Sequence, residues 1–279
     1  MQHALGEVCI PVNSQRIISL DVPWTLDPLL ALGIKPVGTA IHDYAPYGLS
    51  GLLPDEIEGI ERVGFTGSAS LEKILALKPD LILSLDVHDE QNYQQLSAIA
   101  PTVLREFETI NTSFKENLRS IAQVVAQEET AEDILAQYQN RVDVLRESVG
   151  KRLQGKEISV IHTSTDGSSN IWIENKNANY FQILSDIGVS LKPIFTERNE
   201  WASFSIESIS QFDADILFII SEKSASSLFQ NPLISLLKAV QNNRAYVVDP
   251  SIWYVYGPLG MNRLLDDISK YLSEAIQSF

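Results

Sequence analysis

Two glutamates open matching strings. Residues 71–85 read LEKILALKPDLILSL and residues 206–220 read IESISQFDADILFII. In each, a serine and an aliphatic residue precede the acid: Ser70-Leu71-Glu72 and Ser205-Ile206-Glu207. Serine is a preferred helix N-cap, and a carboxylate in the first turn is favoured by the positive helix end by about 0.3–1 kcal/mol. Helix-start chemistry therefore accounts for both glutamates, and an acid at an exposed helix start is also free to pair outward with a cation. Asp80 and Asp215 each stand just before the unbroken apolar run that closes the string.

Two further groups carry chemistry. His42, His88 and His162 each follow an expected strand, with Asp43, Asp86 and Asp89 nearby. Three imidazoles and a carboxylate suit Zn or Mn, although these histidines lack tight ligand spacing. All four tryptophans, Trp24, Trp172, Trp201 and Trp253, fall in segments expected after strands, as do Tyr44, Tyr47, Tyr254 and Tyr256. Rings on exposed loops offer large contact area at low entropic cost; the alternative is that they plug loop cores. An enzyme of doubly wound α/β type is the weakest reading, because the chain holds no G-x-S-x-G, G-x-G-x-x-G or P-loop string.

These residues need a scaffold of strand ends. Arg16–Leu20 is a β-branched run, Thr25–Leu32 has helical spacing and stops at Gly33, and Pro36–Ala40 is a second strand. Residues 41–62 read as a long loop. A helix over about 70–78 is broken by Pro79 and leads into a strand at Leu81–Leu85, with a shorter one at Thr102–Leu104. A helical stretch without strands follows, with a long helix from Thr130 to about Arg152. Then the alternation restarts: strand Ile158–His162, helix Tyr180–Ile187 stopped by Gly188, the second Glu string, strand Asn243–Asp249 and a closing helix Leu259–Ser278. LLALGIKP (29–36) loosely matches ILSDIGVSLKP (183–193). The reading is two similar α/β lobes with parallel-type sheets: 1–128, then an inter-lobe helix at 129–153, then 154–279. The ligand cleft is expected between the lobes, beyond the carboxyl ends of the strands.

Composition excludes other classes. A chain of 279 residues with 44% apolar and 20% charged residues buries a sizeable core. A net charge of −15 with scattered Lys and Arg argues against nucleic acid. The single cysteine, Cys9, permits no internal disulfide and reads as a buried strand residue. No apolar run reaches the roughly 18 residues that a membrane span needs.

The string S-L-E-x-I-x-x-L-K-P-D-L-I resembles the hallmark of class III solute-binding proteins of bacterial ABC importers, which carry ferric siderophores, haem and cobalamin. QRIISLD and LLALGIKPVG are similar to the family's first strand, helix and strand. The resemblance covers essentially the whole chain. HALGEVCIPVNSQRII (3–18) is similar to the mature region of cyanobacterial iron-siderophore binding proteins.

The resemblance implies a non-enzymatic, monomeric protein that captures a ferric siderophore of hydroxamate or citrate-hydroxamate type, with no intrinsic cofactor. It implies delivery to an inner-membrane permease dimer and its ATPase, with Glu72 and Glu207 docking on permease arginines. Direct binding of a divalent metal, haem or cobalamin is the alternative. A periplasmic location is implied, with a signal peptide and lipid-anchored cysteine lost upstream and Met1 a start artefact. Ligand residues implied or favoured are Trp24, Tyr44, Tyr47, Thr66, Arg198, Trp201, Trp253, Tyr254 and Tyr256. Trp201 stands where hydroxamate binders carry a Trp. Arg198 suits a carboxylate or hydroxamate oxygen. Thr66 stands where some relatives have Arg, with Arg62 as a stand-in. DVHDE (86–90) lacks a Tyr that such proteins carry.

Overall fold

The computed structural model describes residues 1–43, 49–110, 113–163, 170–174, 178–192 and 202–279. Tyr44, Tyr47, Arg198 and Trp201 lie outside the described residues. By internal contacts the chain divides into two units, Met1–Gln137 with Tyr254–Asn262, and Tyr138–Trp253 with Arg263–Phe279.

The first unit holds a six-stranded sheet built from β1 (Ile17–Ser19), β2 (Gly38–Ile41), β3 (Glu61–Phe65), β4 (Ser68–Ala69), β5 (Leu81–Leu85) and β6 (Thr102–Arg105), in the order β4-β3-β2-β1-β5-β6. Only β4 runs antiparallel to its neighbour. β1 and β5 are buried along their whole length, which is why they read as continuous apolar runs rather than alternating ones. β3 begins inside the stretch expected to be loop. Its first residues, Glu61 and Arg62, are charged and exposed, so no apolar run announces it.

Helices α1 (Asp27–Ala31), α2 (Leu71–Ala76), α3 (Asp86–Asp89), α4 (Tyr93–Ile99) and α5 (Phe114–Val125) accompany this sheet. A π-helical turn, Val22–Leu26, precedes α1, and Gly33 follows it at φ 76°. The Ser70 hydroxyl caps α2 by accepting the Lys73 N–H at 3.3 Å. Lys78 at φ 48° and then Pro79 stop it. The buried side of α2, Ile74, packs on Ile18, Leu20, Val63 and Ile82. The long helix α6 (Glu128–Val149) has 22 residues, and the division between the units falls within it, after Gln137.

The second unit holds β7 (Glu157–Thr163), β8 (Asn170–Ile173), helix α7 (Asn179–Ile187), β9 (Ser190–Leu191), β10 (Ala202–Ser205), β11 (Ile216–Ile220) and β12 (Ala245–Val248). Strand order is β10-β8-β7-β11-β12, with β9 also on β7. β9, β7, β11 and β12 pair in parallel, whereas β8 is antiparallel to both of its neighbours, so this sheet is mixed. Gly188 ends α7 at φ 81°. The second Glu string forms a 3-10 helix, Ile206–Phe212, and Ser205 makes no capping side-chain bond. Ser208 and Ser210 compete with the backbone for hydrogen bonds where α2 has Lys73 and Leu75, both good helix formers. The last helix, α8, runs over Pro258–Ala275. Among the described residues no helix is long and apolar enough to cross a membrane.

Candidate ligand-binding site

Parallel strands collect functional side chains at their carboxyl ends. In the first unit the adjacent ends of β3, β2, β1, β5 and β6 deliver, in that spatial order, Thr66, His42, Asp21, His88 and Arg105. Asp21 sits at the centre and is wholly buried. Its Oδ1 accepts the Trp24 N–H at 3.0 Å. Its Oδ2 accepts no hydrogen bond among the described residues and lies 3.4 Å from His42 Nε2 and 3.6 Å from His88 Nε2. The two imidazole centroids are 6.4 Å apart, with the rings tilted by 75°. The His42 side chain is 11% exposed and that of His88 29%.

Arg105 closes the row as a structural cation. Its Nη1 donates to the Trp24 carbonyl at 2.8 Å and to Asn117 Oδ1 at 2.5 Å, and Nη2 to the Asn117 carbonyl at 3.3 Å. Burial pulls the guanidinium down to about 9, opposed by the charge of Asp21. At the other end, the Thr66 N–H bonds the Ile41 carbonyl at 3.0 Å. The Thr66 hydroxyl is buried and has no hydrogen-bond partner among the described residues.

Beside this row stands a ring platform. Trp24 stacks on Tyr256 at 5.0 Å and 26°, and meets Phe107 edge-on at 5.1 Å and 75°. Trp24 and Tyr256 are both half-buried. The segment carrying Tyr256 is fixed by buried Asp27, whose Oδ1 accepts the Leu259 N–H at 2.8 Å and whose Oδ2 accepts the Gly260 N–H at 3.0 Å. Tyr254 is half-buried in the same segment.

Other sequence-level candidates fall elsewhere. Trp253 is a core residue of the second unit, 1% exposed, packed 4.8 Å from Phe218 and donating its indole N–H to Asp267 at 2.8 Å. A buried ring with its polar atom satisfied is packing, so Trp253 leaves the ligand set. His162 is likewise buried in the second unit, 3.1 Å from the Tyr180 hydroxyl, and burial lowers its pKa to about 3. Among the described residues no group of three His, Cys, Asp or Glu is arranged to hold a metal ion. Arg62 lies in the body of β3 with its guanidinium 4.4 Å over the Phe65 ring, so it does not stand in for an arginine at Thr66. Cys9 is exposed and belongs to no strand; Pro11, two residues on, has no N–H for a ladder. Glu72 and Glu207 are both exposed in the first turns of their helices.

Asp21 and Arg105 are the members of this row that periodicity alone does not single out. The signal for Asp21 is an acid wedged in the apolar run SLDVPW. For Arg105, a cation closing the strand TVLR is the comparable sign.

The family model described as periplasmic binding protein matches residues 26–252. The probable siderophore-binding lipoprotein YfiY of Bacillus subtilis (strain 168) is 33% identical over 97% of this chain and 86% of its own length. The ferric-anguibactin-binding protein FatB of Vibrio anguillarum is 28% identical over 97% of this chain and 86% of its own. Among solved structures, Staphylococcus aureus SirA complexed with staphyloferrin B aligns with a TM-score of 0.76 at 25% identity, covering 98% of each chain. These relatives are binding proteins, not enzymes, and the chain belongs to the periplasmic binding protein family.

Proposed function

We propose that this chain is the substrate-binding component of an ABC importer and that its cargo is a ferric siderophore of hydroxamate or citrate-hydroxamate type. The observation that carries this reading is the Trp24–Tyr256 stack beside the polar row from Thr66 to His88, at the carboxyl ends of the first sheet. A ferric siderophore is bulky and partly apolar outside, with oxygens around the metal. Stacked rings supply area for the former and a few polar groups supply orientation for the latter. The probable siderophore-binding lipoprotein YfiY, the ferric-anguibactin-binding protein FatB and SirA complexed with staphyloferrin B support a siderophore as the cargo.

Trp24, Thr66, Tyr254 and Tyr256 are the described members of the proposed ligand set; Tyr44, Tyr47, Arg198 and Trp201 are its members in the other segments. Glu72 and Glu207 dock a permease dimer that works with its ATPase. Their exposure at helix starts supports that role. The protein acts as a monomeric lipoprotein outside the cytoplasmic membrane, in keeping with the lipoprotein YfiY. Tryptophan-quenching titrations against ferric hydroxamate, catecholate and citrate complexes test the reading. Saturable quenching by at least one complex is expected, and silence across the panel rejects it. The paired variant Glu72→Lys/Glu207→Lys is expected to bind as before and to abolish uptake. Lost ligand affinity would remove the docking role.

A further inference from the structure

We infer that Asp21, covered by His42 and His88, forms an acceptor site for a primary ammonium on the cargo, so that a ferric hydroxamate carrying a free amine is preferred over the same complex with that amine acylated. This inference rests on the siderophore reading above and narrows it.

An orphaned carboxylate oxygen is the first ground. β2 and β5 flank β1 on its two sides, and the histidines that follow them converge on Asp21 Oδ2. That atom is buried and accepts no hydrogen bond among the described residues. A buried acceptor left open costs stability, and a donor brought in by the cargo removes that cost. Both covering rings are part-exposed and turn Nε2 to the carboxylate. A neutral imidazole so placed keeps its proton on Nε2 and its lone pair on Nδ1. His88 Nδ1 has no hydrogen-bond partner among the described residues, so it is an acceptor with a carboxylate behind it, the arrangement that raises the basicity of a ring nitrogen.

The balance of charge is the second ground. Arg105 offsets one carboxylate, and its Nη donors are already turned to Trp24 and Asn117. Asp86 and Asp89, on the helix that carries His88, keep their charge while accepting hydrogen bonds. Asp86 Oδ1 accepts the Val87 and Phe107 N–H groups at 2.8 and 3.0 Å. Asp89 accepts from the Ser84 hydroxyl at 2.5 Å and the Asn92 amide at 3.1 Å. Exposed Asp43 follows His42. Residues 17–34, 36–61 and 79–104, which carry β1, β2 and β5 with the loops after them, contain no Lys or Arg. The carboxyl ends of these strands therefore hold excess negative charge, and the net charge of −15 draws a cation toward them from a distance.

The neighbouring ring is the third ground. Asp21 Oδ1 holds the Trp24 N–H, so the half-buried indole stands beside the carboxylate. An indole next to an anionic acceptor suits an alkylammonium, which gains from the ring quadrupole and from a charge-assisted hydrogen bond together. Acylating the amine removes its charge and leaves a single N–H donor, so both gains are lost.

The test is calorimetric titration at neutral pH with two probes that share one iron core: ferrioxamine B, a linear ferric trihydroxamate ending in a primary amine, and its N-acetyl derivative. Ferrioxamine B is expected to bind about tenfold tighter, and the advantage shrinks at high salt. In Asp21→Asn the ratio of the two affinities falls to near one; the ratio cancels any loss common to both probes. His88→Gln and Asp86→Asn each lower the ratio part of the way, which keeps the result readable if Asp21→Asn does not fold. Equal affinities in the wild type, tighter binding of the acetylated probe, or a ratio unchanged in the variants overturns the inference. Failure of both probes while another ferric complex binds also overturns it and leaves the siderophore reading standing. Silence across the whole ferric panel removes the siderophore reading itself, and this inference with it.

Discussion

Asp215 repeats, at the foot of β11, the reciprocal pair of hydrogen bonds that Asp80 makes at the foot of β5. The Asp80 N–H donates to the Arg16 carbonyl at 3.0 Å and its carboxylate accepts the Arg16 N–H at 2.9 Å. The Asp215 N–H donates to the Glu157 carbonyl at 3.0 Å and its carboxylate accepts the Glu157 N–H at 3.1 Å. In both units the acid thus clamps the start of the neighbouring parallel strand, which sets the register of two strands whose apolar runs would tolerate a slip.

Asp215→Asn is expected to destabilise the protein at neutral pH by about 1–2 kcal/mol. Burial pushes the Asp215 carboxyl up, but the hydrogen bond from Lys238, the Glu157 amide and the charges of Lys238 and Lys156 outweigh it and hold the carboxyl below its ordinary range. A depressed carboxyl contributes stability above its unfolded value and loses it as pH falls through the folded value. The difference between wild type and variant should therefore shrink below the ordinary carboxyl value of 3.8. Urea denaturation at pH 7 and at pH 3 measures both arms.

Gly257→Ala is expected to cost about 1–3 kcal/mol. A Cβ at this position would stand 2.2 Å from the Asp27 carboxyl carbon and 2.5 Å from its Oδ2, the oxygen that accepts the Gly260 N–H. The carboxylate must move, loosening the segment that seats Tyr256 on Trp24. Guanidinium melts give the stability loss, and a weaker near-ultraviolet circular dichroism band from the stacked rings gives its location.

A buried chain of polar groups should govern the pH profile of the second unit. Burial raises the Glu174 carboxyl to about 8, partly opposed by a hydrogen bond with Tyr180, and lowers His162 to about 3. Between 4.5 and about 8 the native protein holds a Glu174 proton that the unfolded chain has released, so stability falls as pH rises through that window. Below 6.5 the unfolded chain protonates His162 and the native protein does not until about 3, so stability also falls toward acid. Glu174→Gln is expected to gain at least about 1 kcal/mol at pH 9 relative to wild type. A melting series at pH 5, 7 and 9 reads it, and an unchanged alkaline limb would falsify the assignment.

Much of this architecture is legible in the amino-acid sequence. The runs at Ile17, Leu81 and Ile216 announce the central strands because both of their faces are buried. Gly33 and Gly188 mark helix ends because each takes a left-handed turn. β3 and β8 carry no such signal, for the opposite reason: β3 opens on exposed charge, and β8 is only four residues long between polar stretches. The second Glu string reads as a copy of the first, but its serines yield a 3-10 helix. The site divides in the same way. Trp24 and Tyr256 are visible as rings on loops, whereas Trp253 looks identical in sequence and is core. The meeting of His42 and His88 on Asp21 depends on which strands are neighbours, and strand order is a long-range property that local spacing does not encode.

The segment Tyr254–Asn262 belongs with the first unit although the second unit supplies the residues on either side of it. On the ribosome, the emerging first unit therefore waits for this piece until Tyr138–Trp253 has been made. Buried Asp27 meets the amides of Leu259 and Gly260 only then, and the Trp24 ring gains its stacking neighbour at the same late moment. A truncated product ending at Gln137 would lack both amides and the second ring, so the Trp24–Tyr256 stack forms only in chains translated past that segment.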